Sequence, residues 1–232
     1  MSTREFNVSG FTRINIHWAL EVEIIRSSSF AVSVTGTETH VKNISVTVEG
    51  DNLTVGYELS LTSIFVAPFS HIFVRISLPD LRELSISGAA RAKVTGFSSP
   101  NDFALYLSGA SHIDFSDMSV GNMKWDLSGA SRIDGHLKAA GSFDLHTSGA
   151  SRVELKGSAT SLDVNASGAS IMELGDFSVR DARIRLSGAS RGSISLDGKL
   201  DVNLDGASHL DFKGNATPGE TRISGASTLR KR

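Results

Sequence analysis

The chain has 232 residues and a formal charge of −2 from 23 basic and 25 acidic side chains, so no strong field marks it for nucleic acid or an anionic membrane surface. It has no cysteine, which removes disulfides, thiol catalysis and cysteine-based zinc sites together. Glycine is abundant at 22 residues while apolar residues still make up 40%, a combination that points to periodic use of glycine and not to low complexity.

The opening Met1-Ser2-Thr3-Arg4-Glu5-Phe6 lacks the basic-then-apolar pattern of a secretory leader. No stretch reaches the length of a membrane span, so no transmembrane segment is expected. Short alternating segments follow: Phe6-Asn7-Val8, Ile14-Asn15-Ile16, Val22-Glu23-Ile24, Val32-Ser33-Val34, Ile44-Ser45-Val46-Thr47-Val48 and Leu53-Thr54-Val55. Alternation of apolar and polar residues is the period of a strand with one buried face. Residues 59–69 break this rhythm with an unusually apolar insertion. Two roles are open for it: a cover for the end of the core, or a patch for self-association or a partner centred on Ile64, Phe65 and Phe69. Ile72-Phe73-Val74-Arg75-Ile76-Ser77-Leu78 then resumes the strand pattern.

From residue 81 a repeat takes over. Ser-Gly-Ala-Ala or Ser-Gly-Ala-Ser recurs with its glycine at Gly88, Gly109, Gly129, Gly149, Gly168, Gly188 and Gly225, and Asp205-Gly206-Ala207-Ser208 fills the gap. Successive spacings are 21, 20, 20, 19, 20, 18 and 19 residues, too regular for chance. Four and two positions before each glycine stand residues such as Leu84 and Ile86, Leu105 and Leu107, or Trp125 and Leu127. Four and six positions after it come pairs such as Ile113 and Phe115 or Val153 and Leu155. Each repeat therefore reads as a strand, a sharp corner, a second strand and a looser turn, the last marked by Gly121-Asn122, Gly157-Ser158, Gly175-Asp176 and Asp197-Gly198.

One such repeat cannot bury an apolar face alone, whereas stacked repeats pair equivalent strands about 4.8 Å apart around a shared core. The predicted fold is all-β: a single-stranded right-handed parallel β-helix with about 20 residues per coil, the hand following from the rule for parallel crossovers. Residues 1–232 read as one domain, with irregular N-terminal coils over 1–80 and regular repeats over 81–232. Corner glycine supplies positive φ, the following alanine is expected inside the bend, and the motif serines are expected to bond exposed backbone groups.

At these residues the chain resembles a family of bacterial β-helical proteins described as putative auto-transporter adhesin head (GIN) domains. The resemblance rests on the repeated corners, such as Ser128-Gly129-Ala130-Ser131 and Ser148-Gly149-Ala150-Ser151, and on Phe6-Asn7-Val8-Ser9-Gly10-Phe11 near the start. It implies a right-handed parallel β-helix with an adhesion role at the cell envelope or outside the cell.

Ladders also form on the outer surface. Arg91, His112, Arg132, Arg152, Ile171, Arg191 and His209 lie three residues after successive glycines, and Lys93, Asp114, Asp134, Glu154, Glu173, Ser193 and Asp211 lie five after. Three uses are conceivable for the row containing Asp114, Asp134, Glu154, Glu173, Arg132 and Arg152. A stacked carboxylate pair about 5 Å apart has the separation of a retaining glycosidase, and the row also invites comparison with polysaccharide lyases. The oxygens could contact Ca²⁺ or a glycan. The simplest use is a structural charge ladder that neutralises itself and holds register. No acid, base and cleft combine at a break in the repeat, and no nucleophile elbow, phosphate loop or cofactor fingerprint occurs. The expected function is a non-enzymatic binding or adhesion scaffold without cofactor or metal, with a glycan, an envelope or protein partner, or a second copy as ligand. A carbohydrate-active enzyme and a self-assembling spacer are the alternatives.

Overall fold

The computed structural model describes residues 1–57 and 72–232. Among these, 21 strands join one continuous sheet, and helix is confined to the short Glu38–Lys42. The sheet winds into a β-solenoid of about 7 turns with roughly 20 residues per turn, as the spacing of the corner motif predicts.

Equivalent positions of successive coils stack in parallel register. Before the corner, Leu84, Leu105, Trp125, Leu145, Val164, Ile184 and Val202 form one column. After it, Ala92, Ile113, Ile133, Val153, Met172, Gly192 and Leu210 form another. These columns point inward and are almost wholly buried, so the alternation seen in the sequence becomes a continuous apolar core. Aromatic rings add a chain of contacts along it: Phe115 stacks on Trp125 at 5.3 Å, Trp125 meets Phe143 edge-on at 4.9 Å, and Phe143 meets Phe177 at 5.7 Å.

The corner is built differently from the expectation in one respect. The motif alanines, such as Ala110, Ala130 and Ala150, face solvent, and the final serine of the motif turns inward instead. Ser131, Ser170, Ser190 and Ser208 are at most 2% exposed. Ser190 Oγ donates to the Ser187 carbonyl at 2.9 Å, and Ser208 Oγ to the Asp205 carbonyl at 2.9 Å. The first serine donates across coils instead, as Ser128 Oγ does to the Leu107 carbonyl at 3.2 Å. Both serines thus satisfy backbone acceptors where the chain turns, as their chemistry suggests.

Two of the four looser turns are not turns. Gly157-Ser158 and Gly175-Asp176 lie within the long strands Arg152–Ala166 and Ile171–Leu186, where register shifts between Glu154 and Lys156 and between Leu174 and Ser178 bend the strand. A bulge interrupts the ladder locally and bends the strand, and pairing resumes beyond it. This creates a third stacked segment per coil, seen where Met118, Ser119 and Val120 pair with Leu137, Lys138 and Ala139.

The N-terminal part threads out of order. Arg13–His17 lies between Asn52–Tyr57 and Glu83–Gly88, and Glu21–Arg26 lies between Phe73–Leu78 and Arg91–Thr95, all in parallel. The outermost coil is therefore formed by residues later in sequence than the coil beneath it. Antiparallel strands then cover its edges: Ile44–Glu49 pairs with Asn52–Tyr57, Ala31–Gly36 pairs with Phe73–Leu78, and Ser2–Phe6 pairs with Ala31–Gly36. An exposed strand edge invites pairing with another chain, and these strands occupy it. The insertion at 59–69 and its residues Ile64, Phe65 and Phe69 lie outside the described residues.

Candidate functional site

The face after the corner carries the charged rows. Parallel register sets Arg91, His112, Arg132, Arg152, Ile171, Arg191 and His209 in one line, and Lys93, Asp114, Asp134, Glu154, Glu173, Ser193 and Asp211 in the next line but one. Because side chains on one face of a strand recur every second residue, both rows look outward together. The rows extend beyond the repeats, since Glu21 and Glu23 pair with Arg91 and Lys93. Arg75 Nε donates to Glu23 Oε2 at 2.8 Å, continuing the cross-coil pairing into the irregular coils.

All six predicted residues of the row come together, and they are engaged with one another. Arg132 makes a two-pronged pair with Asp134, at 2.6 Å from both Nε and Nη2. Its Nη2 also lies 3.9 Å from Glu154. Arg152 Nη2 reaches Glu154 at 3.7 Å and Glu173 at 2.5 Å in the next coil. His112 sits 3.3 Å from Asp114 and 3.1 Å from Asp134. Partial burial works against ionisation of Asp134, but the Arg132 hydrogen bonds and charge outweigh it and hold the carboxyl below its ordinary range. Arg132 is correspondingly held above its own, chiefly by the same hydrogen bonds.

His112, Asp114 and Asp134 bring three possible ligand atoms within 4.8 Å of one another. The guanidinium of Arg132 already occupies both oxygens of Asp134, so this cluster is built as a charge pair. Glu154 and Glu173 lie in the same way beside the guanidinium groups of Arg132 and Arg152.

The charge pattern departs at Lys93 and again in the last coil, where Arg230 stands beside Asp211, and charge is also lost in two adjacent coils between them. At the positions where the pattern calls for a charged pair, the chain has Ile171 and Ser193. Around them the surface sinks into an open hollow of about 720 Å³, with Arg152, Glu173, Arg191, His209, Asp211 and Arg232 among its lining. Asp211 is its most enclosed charge, with 6% of its side chain exposed; it is paired with His209 Nε2 at 3.0 Å and with Arg232. Arg191 has no ion-pair partner among the described residues. The sequence contains this break in plain sight, but only the stacked register shows that both substitutions fall in adjacent coils on one surface.

The corner column also holds a copy of the motif that escapes a search for Gly-Ala-Ser. Ile16 and His17 pair with Ile86 and Ser87, which places Trp18 at the position of Gly88 and Ala19 at that of Ala89. The flanking positions agree: Ile14, Ile16, Val22 and Ile24 are at most 2% exposed. Trp18 itself takes the left-handed backbone of a corner glycine, with φ 97°.

A family model described as "Putative auto-transporter adhesin, head GIN domain" matches residues 10–216. Three solved structures share the fold over 100% of this chain. A putative adhesin from Parabacteroides distasonis has 17% identity and a TM-score of 0.88 with 96% of its own chain covered. A putative adhesin from Parabacteroides merdae has 16% identity and a TM-score of 0.83 with 95% covered. A putative lipid binding protein from Parabacteroides distasonis has 19% identity and a TM-score of 0.78 with 96% covered. No curated protein matches in sequence.

Proposed function

We propose, since the chain belongs to the family of putative auto-transporter adhesin head GIN domains, that it is a non-catalytic adhesion scaffold of the cell envelope or cell exterior that holds a glycan on its charged face. The observation that carries this reading is the hollow around Ile171 and Ser193, where the self-neutralised ladder opens and the Arg191 guanidinium has no ion-pair partner among the described residues. A guanidinium presents several donors in a fixed plane, well suited to sugar hydroxyls or a uronic carboxylate. Elsewhere in the row Asp134, Glu154 and Glu173 are each paired with a neighbouring guanidinium, which suits a rigid presenting surface better than proton transfer.

The test is a glycan array probed with the purified protein, followed by titration of the glycans that bind. Saturable binding that weakens in Arg191→Gln supports the reading. Release of new reducing ends or unsaturated products from bound polysaccharide, abolished in Asp134→Asn or Glu154→Gln, would replace it with an enzymatic one.

A further inference from the structure

Trp18 breaks two rules at once. It is a bulky residue in the left-handed backbone region, at φ 97°, where the regular coils from Gly88 to Gly225 all use glycine. A large side chain persists in such a conformation only when its surroundings hold it there, and such strain gathers at sites of function. It is also 43% exposed, among the few large apolar side chains that face solvent in the described residues.

The ring is held from behind. Trp18 and Tyr57 stack with centroids 5.6 Å apart and planes 18° from parallel. Tyr57 is fixed in turn: Asn43 Nδ2 donates to its hydroxyl at 3.2 Å, and His40 Nδ1 lies 3.1 Å from it. The next positions along the column on the other side of Trp18 are Gly88 and Gly109, which carry no side chain. Trp18 therefore stands as an aromatic wall at the end of a flat floor of corner glycines and solvent-facing alanines. Beside it, His17 Nδ1 and Ser87 Oγ form an exposed polar pair 2.7 Å apart.

The geometry points to a stacking subsite at Trp18 for a pyranose ring, in the class of β-linked gluco-configured oligosaccharides. Such a ring has one face of axial C–H groups to lie on indole, while its equatorial hydroxyls point sideways to donors and acceptors such as His17 and Ser87. The indole is exposed on its open side, and the flanking His17–Ser87 pair offers hydrogen-bonding groups at its edge. This subsite rests on the reading of the chain as a glycan-binding scaffold, but it lies at the corner ridge and uses none of the charged-face residues.

The two tryptophans allow a direct test, because Trp125 is fully buried and Trp18 is not. Acrylamide quenching of indole fluorescence reports Trp18, and cellotetraose and chitotetraose are the probes. The expected result is saturable protection from quenching by at least one of them. Trp18→Gly installs the residue that the rest of the column uses at this backbone conformation, so it retains the solenoid by circular dichroism. Calorimetric titration of that variant should show affinity reduced about tenfold or more. Arg191→Gln should leave binding of these neutral probes unchanged, which separates this subsite from the hollow. Absence of protection by both oligosaccharides, or unchanged affinity in Trp18→Gly, overturns the proposal.

Discussion

The carbonyl oxygen of Gly109 lies 2.4 Å from the point where a Cβ on Gly129 would stand. The same approach recurs up the column, with Gly129 oxygen 2.4 Å from a Cβ on Gly149 and Gly149 oxygen 2.5 Å from one on Gly168. The closeness comes from a hydrogen bond at each corner: Ala130 N–H donates to the Gly109 carbonyl at 2.8 Å, and Ala150 N–H to the Gly129 carbonyl at 2.8 Å. Corner glycine is thus required twice, for its φ of 87° at Gly129 and for the absence of any atom toward the preceding coil.

Gly129→Ala should therefore destabilise the stack by about 2–4 kcal/mol, combining a left-handed backbone cost with a displaced carbonyl. Ala130→Ser, one residue on and facing solvent, should change stability by no more than about 0.5 kcal/mol. Chemical denaturation of the two variants side by side checks the contrast.

Trp125 packs between Phe115 and Phe143 with no exposed surface, and shortening it removes the centre of the aromatic chain. Trp125→Ala should cost about 3–5 kcal/mol. In a stacked array the loss spreads through neighbouring coils first. Hydrogen exchange should accelerate most in Phe103–Gly109 and Ser142–Thr147, the strands on either side, and least in Lys199–Leu204.

Several aspartates accept hydrogen bonds from the following coil, and their carboxyls are held below the ordinary range. A hydrogen bond from the Lys199 backbone N–H leads this effect at Asp181, side-chain bonding to Lys199 leads it at Asp201, and bonding to Ser224 leads it at Asp205. At Asp80 burial opposes the shift, and hydrogen bonds from Arg82, Ser99 and Asn101 overcome it. Groups with a depressed folded pKa bind protons more tightly when unfolded. The stability they contribute is complete above about pH 4 and is lost as pH falls through the folded values. Denaturant midpoints measured on descending pH should fall steeply in that acid window. Asp201→Asn retains an acceptor for the Glu220 N–H that Asp201 Oδ1 binds at 2.8 Å, and it should show a shallower fall.

The Arg132–Asp134 pair is well formed but half-exposed at the guanidinium, with 48% of the Arg132 side chain open to solvent. Pairs in that setting contribute little, so Arg132→Gln should leave the denaturation midpoint close to unchanged. Its consequence should appear in register instead. Two such variants combined, Arg132→Gln with Arg152→Gln, should leave the unfolding midpoint almost unmoved while raising sensitivity to misfolding on rapid refolding, measured as recovered soluble protein.

The solenoid was legible in the sequence because each coil repeats the same local demand. Gly88 through Gly225 recur at a period that only stacking can use, and residues such as Leu105 and Ile113 alternate beside them. Strand period, corner chemistry and charge rows are all local or strictly periodic, so they survive in one dimension. The family resemblance drew on the same corners. Sequence placed Ala130 inside the bend, however, and the structure turns it to solvent with Ser131 inward, because the direction of a side chain in a tight corner depends on the backbone path of the coil below.

What the tertiary structure alone decided lies where the chain departs from that period. Trp18 carries no Gly-Ala-Ser signature, and only its pairing beside Gly88 reveals a corner. The threading of Arg13–His17 beneath the later Asn52–Tyr57 depends on long-range strand pairing, which local composition does not encode. The hollow at Ile171 and Ser193 likewise exists only once residues about a coil apart become neighbours. Periodicity writes the scaffold into the sequence, whereas the hollow and the Trp18 ridge arise from contacts between positions that the sequence keeps apart.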